Sequence, residues 1–480
     1  MAQISQDTFD QVVKENMDDF GMELEEAQKD AWEQFETQGV DLSNIRRAGA
    51  VTEDHQVVRN VDELKKVVAS YESHEHIDAM LENALREGLT ALSAEIGRDE
   101  ENRTIAGDRE GVQTMIRALE AIANKPEIVK EALPGLLECL EDVENRSRLG
   151  AKGVVTLVKV LRANLDNPRA VKAVRLAITA NEQNRRDAID NGLIGVALDV
   201  LREHGTAEVI ICRSACSLLR QIVKDDATDQ MGFSNAHENA RSVASDGALP
   251  LLIRLLEHWS GNGDVTADLF SCLGRLAIRA EFVDEIMENG GLDRTIRVLA
   301  ENVKTPSLAR QCCLVLRALA GSDDVKVEIR ARGGLELLTT CLQANAGHAK
   351  VEEEVIGCIG AVCLRNVENV RAVAAADGIP ILVDVMRSHP NEHRLQRLAC
   401  VLVRNMVVRT EELKPLFLAE GVESLIRDAQ KLSPSCEEAG KDALRDLGCK
   451  MTFVERWTGM TPEMQAMEDR HKKLESGEIL

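Results

Sequence analysis

One glycine recurs through this chain at a nearly constant interval. A Gly, then an apolar residue, then a stretch rich in Leu, Ile and Val appears at Gly111, Gly153, Gly192, Gly247, Gly291, Gly334, Gly378 and Gly421. The successive spacings are 42, 39, 55, 44, 43, 44 and 43 residues. A period of this length marks one supersecondary unit copied many times. Each copy is too small to hide its own apolar face and is covered by the next. At 480 residues the chain is also too long for one compact core, and an elongated array satisfies both constraints.

Each period reads as three helices. An Asn stands eight or nine positions before the Gly at Asn102, Asn145, Asn184, Asn239 and Asn369, where it predicts an N-cap for a short first helix. The Gly then takes a left-handed conformation, stops that helix and turns the chain. A second helix follows, with Pro250 and Pro380 just inside its start. A long apolar third helix completes the unit, its start marked by Pro168, Pro306, Pro390 or Pro434 in the preceding turn. Short, medium and long helices in about 43 residues are the armadillo plan; the two-helix HEAT unit lacks the short helix and its hinge. The expected fold is all-α, a right-handed superhelical solenoid of about eight armadillo repeats over residues 74–452. Its third helices line a concave surface. The single long spacing places an insertion at Asp225–Arg241, with Asp225, Asp226, Phe233 and His237 as candidates for an interaction loop. A tolerated surface insertion reads equally well.

Composition agrees with such an array. Aromatics are 2% of the chain, and none lies between Glu72 and Gly232, so Leu, Val, Ile, Ala and Cys must interlock there. The twelve cysteines form no CxxC pair or zinc frame and read as small buried hydrophobes in a reducing compartment. A net charge of −23 argues against nucleic acid and anionic membranes as partners. The polar, acidic opening Met1–Glu15 is unlike a signal peptide, and no apolar run approaches the ~18 residues a membrane span needs. The expected location is cytoplasmic, with access to the nucleus. Residues 1–45 are expected to be an acidic helical segment, with Phe9, Val12, Val13, Met17 and Phe20 at helical spacing, then Leu24, Ala27, Ala31 and Phe35. It either caps the first repeat or docks a partner. Residues 46–73 are expected to be a linker and 453–480 a charged tail.

Several segments carry a family resemblance. They are TFDQVVKEN (Thr8–Asn16), EEAQKDAWEQFE (Glu25–Glu36) and QGVDLSNI (Gln38–Ile45), then NEQNRRDAIDNG (Asn181–Gly192), GRLAIRAEF (Gly274–Phe282), LRALAGSDDVK (Leu316–Lys326) and ALRDLGC (Ala443–Cys449). With the inserted loop, they resemble the armadillo-repeat family, and within it the family of armadillo repeat-containing protein 6. The resemblance implies an interaction protein inside the cell with no assigned enzymatic activity.

The third helices carry a recurrent arginine: Arg175, Arg220, Arg275, Arg317, Arg404 and Arg445, with Asn405 beside Arg404. These are the candidate partner-binding groove. They could clamp the carboxylates of an acidic partner, or each could bridge to an acidic residue of the neighbouring repeat. The Trp–Asn ladder with which importin-type adaptors hold basic peptides is not in this sequence. No phosphate loop or HExxH is present, and the pairs His74/His76 and His389/His393 look exposed and lack a third ligand, so no catalytic residue, metal or cofactor is expected. The expected function is a non-enzymatic, monomeric scaffold or adaptor for a protein partner. The alternative is an armadillo-type regulator of a chaperone or GTPase nucleotide cycle.

Overall fold

The computed structural model describes residues 4, 6–42, 55–73, 79–225, 235–277 and 280–450. Among them the regular structure is helical and no strand forms. The chain divides into two compact units, Met1–Trp259 and Ser260–Leu480.

The first unit opens with a helical hairpin, Gln6–Phe20 and Leu24–Thr37. A helix pair follows, Gln56–Ser73 and Ala79–Ile96. Three-helix sets come next: Glu100–Asp108, Gly111–Ile122 and Pro126–Leu140, then Val143–Arg148, Gly150–Ala163 and Pro168–Ala177, then Glu182–Asp190, Leu193–His204 and Val209–Ile222. The unit ends with Ala236–Ser245 and Ala248–His258. The second unit begins with Gly263–Ala277, and its sets end in the long helices Pro306–Leu319, Ala349–Cys363, His393–Val407 and Pro434–Leu447. Within each unit, third helices stack directly on third helices. The reason is their apolar stripe. In Val209–Ile222, for example, Ile211, Cys212, Ala215, Cys216, Leu218, Leu219 and Ile222 are all buried. Each fully buried Leu or Ile stabilises by about 1.5–3 kcal/mol.

Most of the expected linker is a packed helix instead. Gln56–Ser73 is a helix that buries Val57, Val61, Leu64, Val68 and Tyr71 at helical spacing and packs on Ala79–Ile96. The array therefore starts before residue 74. The expected tail lies outside the described residues.

The hinge takes three forms. Gly153 itself lies inside the helix Gly150–Ala163, and the left-handed residue there is Gly150, at φ 59°. At Gly192, Gly247 and Gly421 the Gly itself is left-handed, with φ between 78 and 86°. Before Gly111, Gly291, Gly334 and Gly378 the left-handed residue is one position earlier: Glu110, Gly290, Gly333 and Asp377. At Gly111, Gly334 and Gly378 the Gly serves close approach instead. A Cβ there would stand 2.6–2.8 Å from the main-chain oxygen of Ala106, Ile329 or Val373. Pro168, Pro306 and Pro434 are the first residues of their helices, not part of the preceding turn.

The recurrent asparagines are not N-caps. The caps are Asp99, Asp142, Asn181 and Asn366, whose side chains accept from the main-chain N–H of Asn102, Asn145, Asn184 and Asn369. The recurrent Asn sits inside the first turn, buried, and donates. Asn184 Nδ2 donates to Ala177 O (2.8 Å) and to Arg146 O one set back (2.9 Å). Asn145 reaches Cys139 O and Arg103 O, and Asn369 reaches Val362 O and Lys326 O, all within 3.2 Å. Asn145, Asn184 and Asn369 each pin their helix to the end of the previous third helix and to the previous first helix, while Asn102 and Asn239 reach the end of the preceding long helix, at Glu95 O and Ile222 O.

Candidate partner-binding face

Arg175, Arg220, Arg275, Arg317, Arg404 and Arg445 all fall in the last turn of a third helix. A cation there faces the partial negative charge of the free carbonyls, which accounts for the recurrence before any ligand is invoked.

Their environments differ. Arg317 Nη1 lies 3.4 Å from Glu354, whose side chain is 3% exposed. Its guanidinium rests over Gly357, where a Cβ would come 3.0 Å from Nη1. Arg404 pairs with Asp442 at 2.9 Å and Asp446 at 3.3 Å. Arg445 pairs with both of those carboxylates at 3.0 Å. Hydrogen bonding to Asp446, and then the charges of Asp446 and Asp442, raise its pKa above the ordinary arginine value. Asn405 donates to Gly360 O at 3.2 Å, which ties it to the neighbouring third helix. Arg275 is exposed and has no ion pair among the described residues. Arg175 and Arg220 are half-buried. Burial is the main force lowering the pKa of Arg175; Glu141 opposes it, while Arg146 and Arg220 add to it.

A second basic series is buried and was not anticipated. Arg185 (0% exposed) donates to Glu182 at 2.8 Å and to Lys224 O at 3.0 Å. Lys326 (4%) donates to Leu364 O at 3.0 Å. Arg146 (8%) reaches Leu140 O at 2.7 Å and Thr179 O at 3.3 Å. These side chains occupy the carbonyls at the ends of third helices. The signal was in the sequence as the dipeptides Asn145–Arg146 and Asn184–Arg185.

Three consecutive acids, Glu352, Glu353 and Glu354, are also buried. Glu352 meets His389 Nε2 at 2.6 Å, Glu353 meets Arg394 at 2.8 Å, and Glu354 meets both Arg317 and Arg394. His389 is thus a half-buried partner of Glu352, while His393 is exposed. His74 and His76 lie outside the described residues. Among the described residues no group of His, Cys, Asp and Glu could hold a metal ion. Among the described residues no helix is long and apolar enough to cross a membrane.

In the insertion, Asp225 and His237 are exposed, and Asp226 and Phe233 lie outside the described residues. The N-terminal hairpin has its own core of Phe9, Val13, Ala27, Ala31 and Leu42, with Trp32 edge-on to Phe9 at 6.0 Å.

Comparisons with known proteins place these features. The family model ARMC6 matches residues 57–466, and the armadillo repeat-containing protein 6 N-terminal domain matches residues 1–63. The human armadillo repeat-containing protein 6 is 31% identical over 477 residues, covering 95% of this chain and 93% of its own. The Drosophila melanogaster homologue is 30% identical, covering 95% and 97%. Among solved structures, an engineered protein aligns with a TM-score of 0.54 at 16% identity, over 81% of this chain and all of its own. A chain solved in work on a phosphorylation switch controlling the interaction between cadherin and beta-catenin aligns with a TM-score of 0.57 at 15% identity, over 86% of this chain and 77% of its own. These likenesses show the armadillo fold, and with the family matches over nearly the whole length the chain belongs to the armadillo repeat-containing protein 6 family.

Proposed function

We propose that this chain is a non-enzymatic protein-interaction scaffold, and that a segment of a protein partner lies along the concave third-helix face. The observation that supports this is the uneven pairing of one repeated residue. Arg317, Arg404 and Arg445 form ion pairs inside the fold, whereas Arg175 and Arg275, in the equivalent helical turn, form none among the described residues. A stack of packed helices also presents such side chains at little ordering cost, because the backbone is already fixed. The scaffold works as a monomer in the cytoplasm with access to the nucleus. With a net charge of −23 it does not act on nucleic acid.

Affinity capture with mass spectrometry tests the reading. It would compare the intact chain, the chain lacking residues 1–45, and the double variant Arg175→Met, Arg275→Met. The reading expects partners that the intact chain enriches and the double variant loses. Equal recovery by the double variant would move binding off this face.

A further inference from the structure

Three arginines converge at the C-terminal edge of the third helices in the first unit. Arg146 is 8% exposed, and its guanidinium is held by main-chain carbonyls: Leu140 O at 2.7 Å, Glu141 O at 2.9 Å and Thr179 O at 3.3 Å. None of these acceptors carries a formal charge. Arg175, in the last turn of Pro168–Ala177, is half-buried and makes no side-chain hydrogen bond or ion pair among the described residues. Arg146 and Arg220 lie close enough to repel it. Glu141 attracts it, but that carboxylate already stands 3.3 Å from Lys172 Nζ.

A cation taken half out of water beside two like charges is costly unless an opposite charge meets it. Elsewhere in the array the protein supplies that charge: Glu354 for Arg317, Asp442 and Asp446 for Arg404. At Arg175 only helix-end carbonyls are at hand, and their partial charges fall off within a turn. Arg175 itself has no carboxylate at ion-pair distance among the described residues.

We propose that Arg175, flanked by Arg146 and Arg220, is a socket for one oxyanion of an acidic peptide segment. This rests on the scaffold reading and narrows it to a ligand class. The guanidinium fork fits carboxylate and phosphoryl oxygens alike, and can hold either through two parallel hydrogen bonds. A phosphoryl group brings more charge to the same place. Arg317, Arg404 and Arg445 are not assigned this role because each already meets a carboxylate of the fold, and Asn405 already donates to Gly360 O.

The test uses the full chain and three labelled, unstructured peptides that differ only in one central residue: Glu, phosphoserine or Gln. Binding is read by fluorescence anisotropy, with thermal melting of every variant alongside. The Glu and phosphoserine peptides should bind at least roughly tenfold tighter than the Gln peptide, the scale of one charge-assisted hydrogen bond pair. Arg175→Met should erase that difference while leaving the thermal midpoint unchanged or raised. Arg317→Met should leave peptide binding unchanged and lower the midpoint. Preference for one of the two acidic peptides assigns the socket to carboxylate or to phosphoryl. Three outcomes overturn the socket: no discrimination among the peptides by the unmodified chain, unchanged discrimination in Arg175→Met, or a lowered midpoint in Arg175→Met. Partner capture that survives Arg175→Met alone would overturn the socket and leave the scaffold standing. Absence of any captured partner would overturn the scaffold itself.

Discussion

Replacing Asn184 by aspartate separates two roles that its position allows. As an N-cap, Asn184 would tolerate Asp at almost no cost, because both side chains accept equally well from free N–H groups. The structure gives it the opposite task. Asn184 is 3% exposed, and its Nδ2 donates to Ala177 O at 2.8 Å and to Arg146 O at 2.9 Å. Aspartate keeps the volume and removes the donor. Two hydrogen bonds worth about 0.5–1.5 kcal/mol each disappear, and a buried carboxylate then faces two carbonyl oxygens. The sum is about 3–5 kcal/mol, whereas Asn184→Ala, which leaves the carbonyls short but adds no charge, costs about 2–3 kcal/mol. In a unit of this size that is a fall of roughly 6–15 °C in the midpoint for Asn184→Asp. Exposed Asn191, whose Nδ2 donates to Asp187 O at 2.7 Å, is the control, and Asn191→Asp should stay within about 0.5 kcal/mol. Thermal melting by circular dichroism, with hydrogen exchange over residues 140–190, reads both. A melt of Asn184→Asp that overlays the unmodified chain would refute the pinning role and restore the cap.

Three further outcomes are expected. Ala180 sits at φ +53° in the turn between a third helix and the next first helix, so Ala180→Gly should raise stability by about 0.5–1 kcal/mol in urea unfolding; a loss would show the turn to be unstrained. Eleven of the twelve cysteines are buried, and burial pushes the thiols of Cys139, Cys363 and Cys400 up to about 12, so Cys449 alone should react with a thiol reagent before unfolding. Rapid modification of more than one thiol would contradict that core. Arg394 serves both Glu353 and Glu354. Because Arg394 is itself 57% exposed, Arg394→Ala should cost only about 1–3 kcal/mol, and adding Glu353→Gln should recover part of it. Additive losses in the double variant would mean the two groups do not interact.

The period was legible because it is written in backbone constraints. A left-handed residue or a close carbonyl contact ends the first helix, and Gly can serve both, so spacing located the hinge within one residue except at Gly153, where Gly150 turns the chain. The helix Gln56–Ser73 escaped notice because it carries neither hinge glycine nor recurrent Asn. The misreading of Asn102, Asn145, Asn184 and Asn369 has a similar cause. A polar residue stands at the cap and again three positions later, and sequence does not tell which one accepts and which donates. The arginine series was legible as a register but not as an interaction. The carboxylates that meet Arg317 and Arg404 come from the following third helix, 37 to 42 residues on, and nothing near the arginine announces them. Arg146 and Arg185 were passed over because a basic residue in a short polar helix reads as surface, although their long side chains run inward to helix-end carbonyls.

The Asn pin has a consequence for how such a chain can grow. Its donor is a side chain, but its acceptors are main-chain carbonyls, which every residue type supplies. A duplicated stretch of about 43 residues therefore needs to bring only its own Asn to be fastened to whatever set precedes it. No compensating change in the neighbour is required, so copies can diverge in sequence while their joints persist. A joint between two side chains would have tied each copy to one particular predecessor.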